Sequence, residues 1–250
     1  MRIVLLGAPG SGKGTQAQRL AQERGMPQVS TGDLLRAAVT SGTALGKKAK
    51  AAMDSGRLVE DEIVLGMIAE RLAAADVSQG FVLDGFPRNI EQAMALEAKL
   101  AKLGKPLDAV VLMEVDQPEL VRRISGRRTC QDCGRVFNLT TSGGGAAPEG
   151  ACPKDGGPHR LFQRPDDNEC TVAERLKVYD EKKKPLVAFY RAKGLLRSIL
   201  AEGSVAEVAS RLDEVLGMNK PAVPARHHRP PAVASSAPTA RKGSTPKRSR

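Results

Sequence analysis

The sequence predicts an α/β protein in which a parallel sheet of about five strands lies between two layers of helices. Short apolar segments alternate with longer segments of helical periodicity along residues 1–217. The first apolar segment runs directly into a glycine-rich loop, and a later one ends in an aspartate followed by glycine. No internal repeat is evident, so one core with insertions accounts for the pattern.

The glycine-rich loop spans residues 7–15, between a predicted strand at 3–6 and a predicted helix at 15–24. Strand, glycine loop and helix in this order are the context of a phosphate-binding loop. Glycines let backbone N–H groups converge on an anion, the helix N-terminus adds a positive dipole end, and Lys13 adds a mobile charge. The general pattern has Ser or Thr directly after the lysine, whereas here Gly14 precedes Thr15. The alternative is a turn that binds nothing.

A second informative segment, residues 80–88, contains Phe81-Val82-Leu83 followed by Asp84 and Gly85. A buried parallel strand that ends in this way delivers a carboxylate to the sheet edge where α/β folds bind ligands. Beside a phosphate loop, such an aspartate orients Mg²⁺ directly or through water. The alternative is a carboxylate that caps the helix starting near Asn89.

The other elements follow in order along the chain. Residues 29–33 predict a strand end and a turn in which Asp33 caps a helix. Residues 34–53 predict a helical insertion interrupted near Ser41-Gly42-Thr43. Further strands are predicted at 81–84, 109–114 and 195–200, and further helices at 61–72, 89–103, 118–125, 171–192 and 205–216.

The net charge of +11 is unevenly distributed. Residues 218–250 hold eight Lys or Arg, six prolines and no acidic residue, which leaves 31 basic and 28 acidic residues in 1–217. A segment of this composition buries too little apolar surface to offset its ordering entropy, so 218–250 is predicted to be a disordered basic tail. Weak contact with a polyanion is one interpretation of the tail, and an appendage without a partner is the other.

The first residues of the chain and its apolar segments indicate the cellular compartment. No apolar run approaches the roughly 20 residues of a membrane-spanning helix. The first residues run straight into a strand and lack the features of a secretory signal. A cytoplasmic location is therefore expected, and the four cysteines are expected to be reduced.

Taken together, these motifs resemble the adenylate kinase family of nucleoside monophosphate kinases. The resemblance covers residues 1–217 and rests on residues 7–15, 30–33, 84–88, 126–128 and 164–168. Gly14-Thr15 after the lysine is this family's form of the loop. The resemblance implies a monomer with a three-layer phosphate-loop fold, a parallel five-stranded sheet, a helical AMP-binding insertion at 30–59 and a lid at 126–165.

The resemblance also implies an activity, the reversible transfer of the γ-phosphoryl group of MgATP to AMP, which gives two ADP. The implied ATP-binding residues are Gly10, Ser11, Gly12, Lys13, Gly14, Thr15, Arg127, Val136 and Phe137. The implied AMP-binding residues are Thr31, Arg36, Arg57, Leu58, Val59, Gly85, Phe86, Pro87, Arg88, Gln92, Arg164 and Arg175. The implied catalytic residues are Lys13, Asp84, Arg88, Arg123, Arg127, Arg164 and Arg175.

Phosphoryl transfer requires mainly positive charge and correct positioning of the two nucleotides. Phosphoryl transfer spreads negative charge over the equatorial oxygens, and the acceptor phosphate is already anionic, so no nucleophile has to be created. Planar guanidinium groups suit the task because they grip phosphate oxygens in pairs. For any single arginine, the alternative is a solvated surface charge.

Two pairs of residues in the predicted lid have the spacing of a zinc ribbon. Cys130-x2-Cys133 and Cys152-x2-Asp155 are separated by 18 residues, and Asp can replace Cys as a ligand. Some long-lid adenylate kinases carry zinc here, so the resemblance supports a structural zinc ion held by Cys130, Cys133, Cys152 and Asp155. A metal-free lid with inert thiols is the alternative. Cys170 lies outside both pairs and is expected to be a free thiol, although it competes with Asp155 as fourth ligand.

Three rival functions are compatible with parts of the sequence. A kinase for UMP, CMP or GMP would share the same motifs, although Thr31 and Gln92 fit the adenine version. A zinc-ribbon protein that binds nucleic acid would explain the cysteines and the charge, but it leaves the loop at 7–15 and Asp84 unused. Aromatic residues, which such proteins use to stack bases, make up only 3% of this chain. A regulatory GTPase is disfavoured because no Asn-Lys-x-Asp motif is found.

Overall fold

The structure, a computed structural model, describes residues 1–140 and 150–218. Within these ranges the chain forms eight strands and eight α-helices. The strands are β1 (Arg2–Leu6), β2 (Gln28–Ser30), β3 (Phe81–Asp84), β4 (Ala109–Glu114), β5 (Arg127–Cys130), β6 (Val136–Asn138), β7 (Leu161–Phe162) and β8 (Leu196–Leu200). The helices are α1 (Lys13–Arg24), α2 (Thr31–Thr40), α3 (Ala44–Asp54), α4 (Asp61–Ala73), α5 (Ile90–Lys102), α6 (Gln117–Gly126), α7 (Glu169–Ala192) and α8 (Val205–Val215). Residues 219–250 of the predicted tail and 141–149 of the predicted lid lie outside the described residues.

The central sheet of the described chain has five parallel strands in the order β2-β3-β1-β4-β8. The prediction of a parallel five-stranded α/β fold is therefore confirmed. In the register of β1 and β3, Leu5 lies opposite Asp84. Because parallel strands end at the same edge, this pairing brings the start of the phosphate loop next to the Asp84 carboxylate.

Alternating side chains of the strands form two cores, one on each face of the sheet. On one face Ile3 and Leu5 of β1 pack in a cluster with Leu20 of α1 and Leu212 of α8. On the other face Val4 and its neighbours pack with apolar residues of α4, α5 and α7. Near-continuous apolar strands are what burial on both faces requires, and they explain why the strands were recognisable in the sequence.

The helical insertion consists of α2 and α3, and the predicted break at residues 41–43 lies between them. The prediction that Asp33 caps a helix is wrong. Helix α2 begins at Thr31, and its N-cap is Ser30, whose Oγ accepts a hydrogen bond from the Asp33 N–H at 3.2 Å. Asp33 instead lies in the first turn, where its charge favours the positive end of the helix.

A second, antiparallel sheet of three short strands, in the order β6-β5-β7, forms in the described part of residues 126–165. From the sequence, only an excursion from the core was predicted here. Strand β5 reads Arg-Arg-Thr-Cys, so it carries no apolar run and no alternation that marks a strand.

The N-terminal residue is tied to the loop before β3. The Met1 carbonyl accepts a hydrogen bond from the Phe81 N–H at 3.0 Å, and the Met1 amine donates to the Gln79 carbonyl at 3.4 Å. The next residue, Arg2, donates from its backbone N–H to Asp108 at 2.6 Å. The start of β1 is thus fixed at its first residue.

Among the helices that the structure describes, none combines the length and apolar character that crossing a membrane requires.

Candidate active site

The glycine-rich loop connects β1 to α1 and closes over the first turn of the helix. Gly10 has φ +86°, and a Cβ there would lie 2.8 Å from Cγ1 of Ile124. Gly12, with φ +90°, is the N-cap of α1 in the left-handed region. Both positions therefore favour glycine because their φ angles are positive, and at Gly10 a side chain would also collide with Ile124.

The Lys13 ammonium folds back onto this loop. Its Nζ donates to the carbonyls of Gly7 and Ala8 at 2.8 Å each, and to Ser11 Oγ at 3.3 Å. Burial lowers the pKa of Lys13 to about 8, and the charge of Arg88 adds to this effect while Asp84 opposes it. A lysine whose charge is this poorly compensated is ready to accept an anionic partner.

The Asp84 carboxylate lies against the first turn of α1. A Cβ at Gly14 would lie 3.3 Å from Asp84 Oδ2, which gives a physical reason for glycine where the general loop pattern has Ser or Thr. Gln28 of β2 donates from Nε2 to the same oxygen at 3.0 Å. Gln28 was not predicted as a site residue, because only the pairing of β2 with β3 brings it beside Asp84.

A cavity of about 530 Å³ extends from the loop and Asp84 to the helical insertion, the second sheet and the residues before α8. The predicted ATP-binding residues line it, from Gly10 to Thr15 together with Arg127, Val136 and Phe137. Five predicted arginines line the same cavity, Arg36, Arg88, Arg123, Arg164 and Arg175, and so do the predicted Leu58, Asp84, Gly85 and Pro87. At its far end lie Gly203-Ser204-Val205, which the sequence analysis did not assign to any site.

The arginines of this cavity are held by neighbouring acceptors. Arg127 forms a bidentate pair with Asp167, whose side chain is fully buried, and Arg175 donates to Asp166 Oδ2 at 2.8 Å. Arg123 donates to Glu119 Oε1 at 2.7 Å and to the Ala201 carbonyl at 2.9 Å. These contacts orient the guanidinium groups before any phosphate arrives.

The concentration of positive charge also shows in the pKa of Arg164. Burial, together with the nearby charges of Arg36 and Arg127, lowers this pKa to about 10. Arg164 donates from Nε to Thr129 Oγ1 at 3.0 Å, which is a neutral partner. A cluster of this kind favours binding of a polyanionic ligand.

A smaller cavity of about 50 Å³ adjoins the first, beneath the helical insertion. The predicted residues that line it are Thr31, Arg36, Arg57, Leu58, Val59, Gly85, Arg88, Gln92 and Arg175. Thr31 Oγ1 donates to the Gly85 carbonyl at 2.9 Å, and Arg88 Nε donates to the same carbonyl at 2.8 Å. Pro87 lines the larger cavity, whereas the Phe86 side chain is fully buried in the core.

The second sheet and its loops bring together three of the predicted metal-binding residues. The sulfurs of Cys130, Cys133 and Cys152 and one ring nitrogen of His159 all lie within 4.8 Å of one another. His159 Nδ1 is 3.6 Å from Cys133 Sγ, and its Nε2 is buried without a hydrogen-bond partner in the described chain.

Asp155, the predicted fourth ligand, belongs to a different group, with Asp132 and Cys152. Cys170 is exposed, at the start of α7. His159 was not predicted as a ligand, although its position seven residues after Cys152 was a possible signal.

Comparison with known proteins decides the family. The adenylate kinase family model matches residues 5–195. The chain belongs to the adenylate kinase family. An adenylate kinase of Nitrosococcus oceani is 52% identical over 221 residues, which cover 86% of this chain and 98% of that protein. An adenylate kinase of Thermodesulfovibrio yellowstonii is 50% identical over 216 residues, which cover 86% of this chain and 99% of that protein. The adenylate kinase of Streptomyces griseus subsp. griseus is 51% identical over 217 residues, which cover 86% of this chain and 97% of that protein.

The predicted membership of the adenylate kinase family is confirmed by these comparisons. Adenylate kinases are nucleoside monophosphate kinases, so the chain is a phosphotransferase. The shared family also agrees with the site, in which a phosphate loop, an edge aspartate and a group of arginines surround two adjoining cavities.

Proposed function

We propose that the chain transfers the γ-phosphoryl group of MgATP to AMP and, in the reverse direction, forms ATP from two ADP. One observation carries this proposal. The larger and the smaller cavity meet at Arg36, Arg88 and Arg175, which line both of them. Two nucleotides bound in the two cavities would therefore present their phosphates to the same guanidinium groups.

In this proposal the donor nucleotide occupies the larger cavity. The backbone of residues 10–15 cradles its phosphates, and Lys13 exchanges the carbonyls of Gly7 and Ala8 for phosphate oxygens. Val136 and Phe137 cover the nucleotide from the second sheet. Asp84, supported by Gln28, would hold the Mg²⁺ that accompanies ATP, and the ion would neutralise charge that develops on the transferred group.

The acceptor nucleotide occupies the smaller cavity. Arg36 and Arg88 hold its phosphate, and the apolar wall around Leu58 and Val59 receives the base. A phosphate oxygen of AMP attacks the γ-phosphorus, the bond from that phosphorus to the bridging oxygen of ADP breaks, and no proton needs to move. Arg123, Arg127, Arg164 and Arg175 stabilise the charge spread over the transferred group.

Water has to be kept from the γ-phosphoryl group during this step. We assign this role to residues 30–59, as an AMP-binding insertion, and to residues 126–165, as a lid over ATP. Closure that needs both substrates assembles the arginine group only when transfer to AMP is possible. The core is proposed to span residues 1–217, in a cytoplasmic monomer.

We further propose that the lid holds a structural zinc ion. Three thiols and a ring nitrogen within 4.8 Å of one another form a donor set that fits tetrahedral zinc. Cys130, Cys133 and Cys152 provide three ligands. His159 is favoured as the fourth by its position in this group, and Asp155 is the competing ligand. With all four positions filled by protein, the ion would stabilise the lid and take no part in the transfer.

ADP formation from ATP and AMP by the purified protein, with and without Mg²⁺, tests the proposed activity. The Lys13→Met variant provides the control, because it removes the phosphate-binding charge from a residue that faces the cavity. We expect it to lose more than 90% of turnover, since charged groups at a transferred phosphoryl are worth about two orders of magnitude or more. Replacement of AMP by GMP, CMP or UMP tests the alternative, a kinase for another monophosphate.

A further inference from the structure

The polar lining of the smaller cavity is divided between its two ends. Arg36, Arg88 and Arg175 supply charge at the end shared with the larger cavity. The rest of the lining is largely apolar and includes Leu35 and Val64, and the Gln92 amide is one of its few uncharged polar side chains. An uncharged amide in apolar surroundings suits the edge of a base better than a phosphate.

The Gln92 amide is held at both of its ends, and the residue is only 1% exposed. Its Oε1 accepts a hydrogen bond from the Arg88 N–H at 2.8 Å, and its Nε2 donates to Asp61 Oδ1 at 2.6 Å. The same carboxylate accepts from Asn89 Nδ2 at 3.1 and 3.0 Å. Asp61 thus joins the first turn of α4 to the start of α5.

The chemistry of the partners determines which way the amide points. A backbone N–H can only donate, and an ionised carboxylate can only accept. A reversed Gln92 amide would therefore set N–H against N–H at Arg88 and oxygen against oxygen at Asp61. Asn89 cannot reverse either, since its Oδ1 accepts the Gln92 N–H at 2.8 Å as the N-cap of α5.

An amide has two N–H groups and two acceptor lone pairs, and here one of each is already used. What remains is one donor and one acceptor of fixed identity. Adenine offers a ring nitrogen acceptor beside an exocyclic amino donor, which complements that pair. Guanine offers the opposite, a ring N–H donor beside a carbonyl acceptor.

We propose that Asp61 is a positioning residue for base selection, which fixes the Gln92 amide so that AMP is accepted and GMP is rejected. The proposal rests on the proposed function, because it assumes that the acceptor base lies against Gln92. Asp61 acts through Gln92 and does not need to touch the nucleotide. Asp61 also stabilises the fold, because it links the first turn of α4 to the start of α5. The experiment therefore has to separate an effect on base selection from an effect on stability.

The experiment measures kcat and KM for AMP and for GMP, at saturating MgATP, in wild type, Asp61→Asn and Asp61→Ala. Asp61→Asn keeps the shape of the side chain but places an N–H donor against the N–H groups of Asn89 or Gln92. Asp61→Ala removes the acceptor of the Gln92 Nε2 hydrogen bond. We expect KM for AMP to rise at least about tenfold in Asp61→Ala, with kcat changed by less than about threefold. The ratio of kcat/KM for AMP to that for GMP should fall about tenfold or more. Asp61→Asn should show the same change in ratio, with a smaller loss of stability.

Two further variants complete the test. Glu62→Gln removes an exposed carboxylate from the same helical turn and should leave both constants at wild-type values. In a Gln92→Ala background, Asp61→Ala should change KM for AMP by less than about twofold, because its effect passes through the missing amide.

The proposal is overturned if Asp61→Ala and Asp61→Asn keep the wild-type ratio, or if the loss is as large without Gln92 as with it. A merely destabilised protein would lower the active fraction for both substrates equally and leave the ratio unchanged. A wild-type protein that fails to phosphorylate AMP would instead contradict the proposed function, which the first measurement reveals.

Discussion

Lys13 has a pKa of about 8, so its charge changes within an accessible pH range. Bound phosphates favour the protonated form, and ATP binding must therefore take up a proton above that pH. We expect KM for ATP to rise as pH increases beyond about 8, by up to tenfold per pH unit. Initial rates between pH 7 and 9.5 measure this. Lys13→Arg stays charged throughout, and an equal rise in that variant would contradict the assignment.

The same pKa makes the folded protein more stable as pH rises, while it weakens ATP binding. The two effects can therefore be told apart in a pH series. The folded-state pKa lies below the ordinary value of 10.5, so the unfolded chain binds more protons between about pH 8 and 10.5. Stability contributed by this group therefore rises with pH across that window. A rise in KM caused by unfolding would run against this direction.

Arg88 lines both cavities, and within the described residues its guanidinium donates to the Gly85 carbonyl while its backbone N–H donates to Gln92. Arg88→Ala should lower kcat/KM by about 10²-fold or more, with little change in the thermal unfolding midpoint. Arg71→Ala is the matched control, since it removes a surface arginine paired with Asp76 outside both cavities. Similar kinetics in the two variants would reject a phosphate role for Arg88.

At the scale of single residues, much of the site could be predicted from the sequence because its parts are contiguous. The loop at 7–15 and the segment 84–88 each carry their chemistry within one turn. Gln28 and Asp61 could not be found in this way, and for His159 the only signal was its spacing from Cys152. Each gains its role from a partner at least seven residues distant, such as Asp84 for Gln28, and only the packed fold brings them together.

The lid element should depend on its metal. About one equivalent of zinc should co-purify, and strong chelation should lower the unfolding midpoint, because binding of a structural metal adds to folding free energy. His159→Ala should weaken zinc retention more than Asp155→Ala, and Cys170→Ser should not change it. Metal analysis after gel filtration in reducing buffer measures this. The opposite order of the first two variants would make Asp155 the fourth ligand.

Helices α1 and α8 are joined by a largely buried ion pair. Arg19 donates to both oxygens of Asp213, at 2.5 and 3.1 Å, with side-chain exposures of 13% and 16%. Arg19 also donates to Gln16, whose Nε2 reaches the Val205 carbonyl at the end of the larger cavity. The pair therefore supports the wall of the donor site as well as the fold.

Asp213→Ala should lower the free energy of unfolding by about 2 kcal/mol, because it removes the less exposed of the two carboxylates paired with Arg19, and this carboxylate also pairs with Arg24. Chemical denaturation measures the change. Glu23→Ala removes the other carboxylate paired with Arg19, which is 54% exposed, and should cost at most about 0.5 kcal/mol. Equal losses in the two variants would show that burial does not matter to this pair.

Elements were predictable where burial dictated composition. Strand β4 matches its predicted span of 109–114 because it is apolar along almost its whole length, and the break between α2 and α3 follows from Ser41-Gly42-Thr43. The short strands of the second sheet carry no such pattern. Their pairing depends on the loops around them, and a few polar residues in sequence do not indicate that they will pair as strands.

For the whole molecule, Met218, which follows the predicted core of residues 1–217, is in contact with that core. Met218 donates to the Asp213 carbonyl at 2.7 Å, accepts from Arg24 at 3.1 Å and packs against the core. Truncation after Met218 should therefore leave turnover within about twofold of wild type. A larger loss in initial rates would mean that residues 219–250 belong to the catalytic unit.

The same truncated protein tests contact with polyanions. If the basic segment binds them, the full chain should be retained on a polyanion column with a salt-dependent dissociation constant on the order of 10⁻⁴ to 10⁻⁶ M. The truncated chain should then elute earlier. Identical elution would favour an appendage without a partner.

The fixed start of β1 has a practical consequence for preparation of the protein. A fusion tag ahead of Met1 would turn the amine that donates to Gln79 into an amide, beside a Gly80 so close to Met1 that a Cβ there would lie 2.3 Å from the Met1 carbonyl. Because β1 leads directly into the phosphate loop, such a tag acts on the strand that positions Lys13. A purification handle is therefore better placed after residue 218 than ahead of Met1.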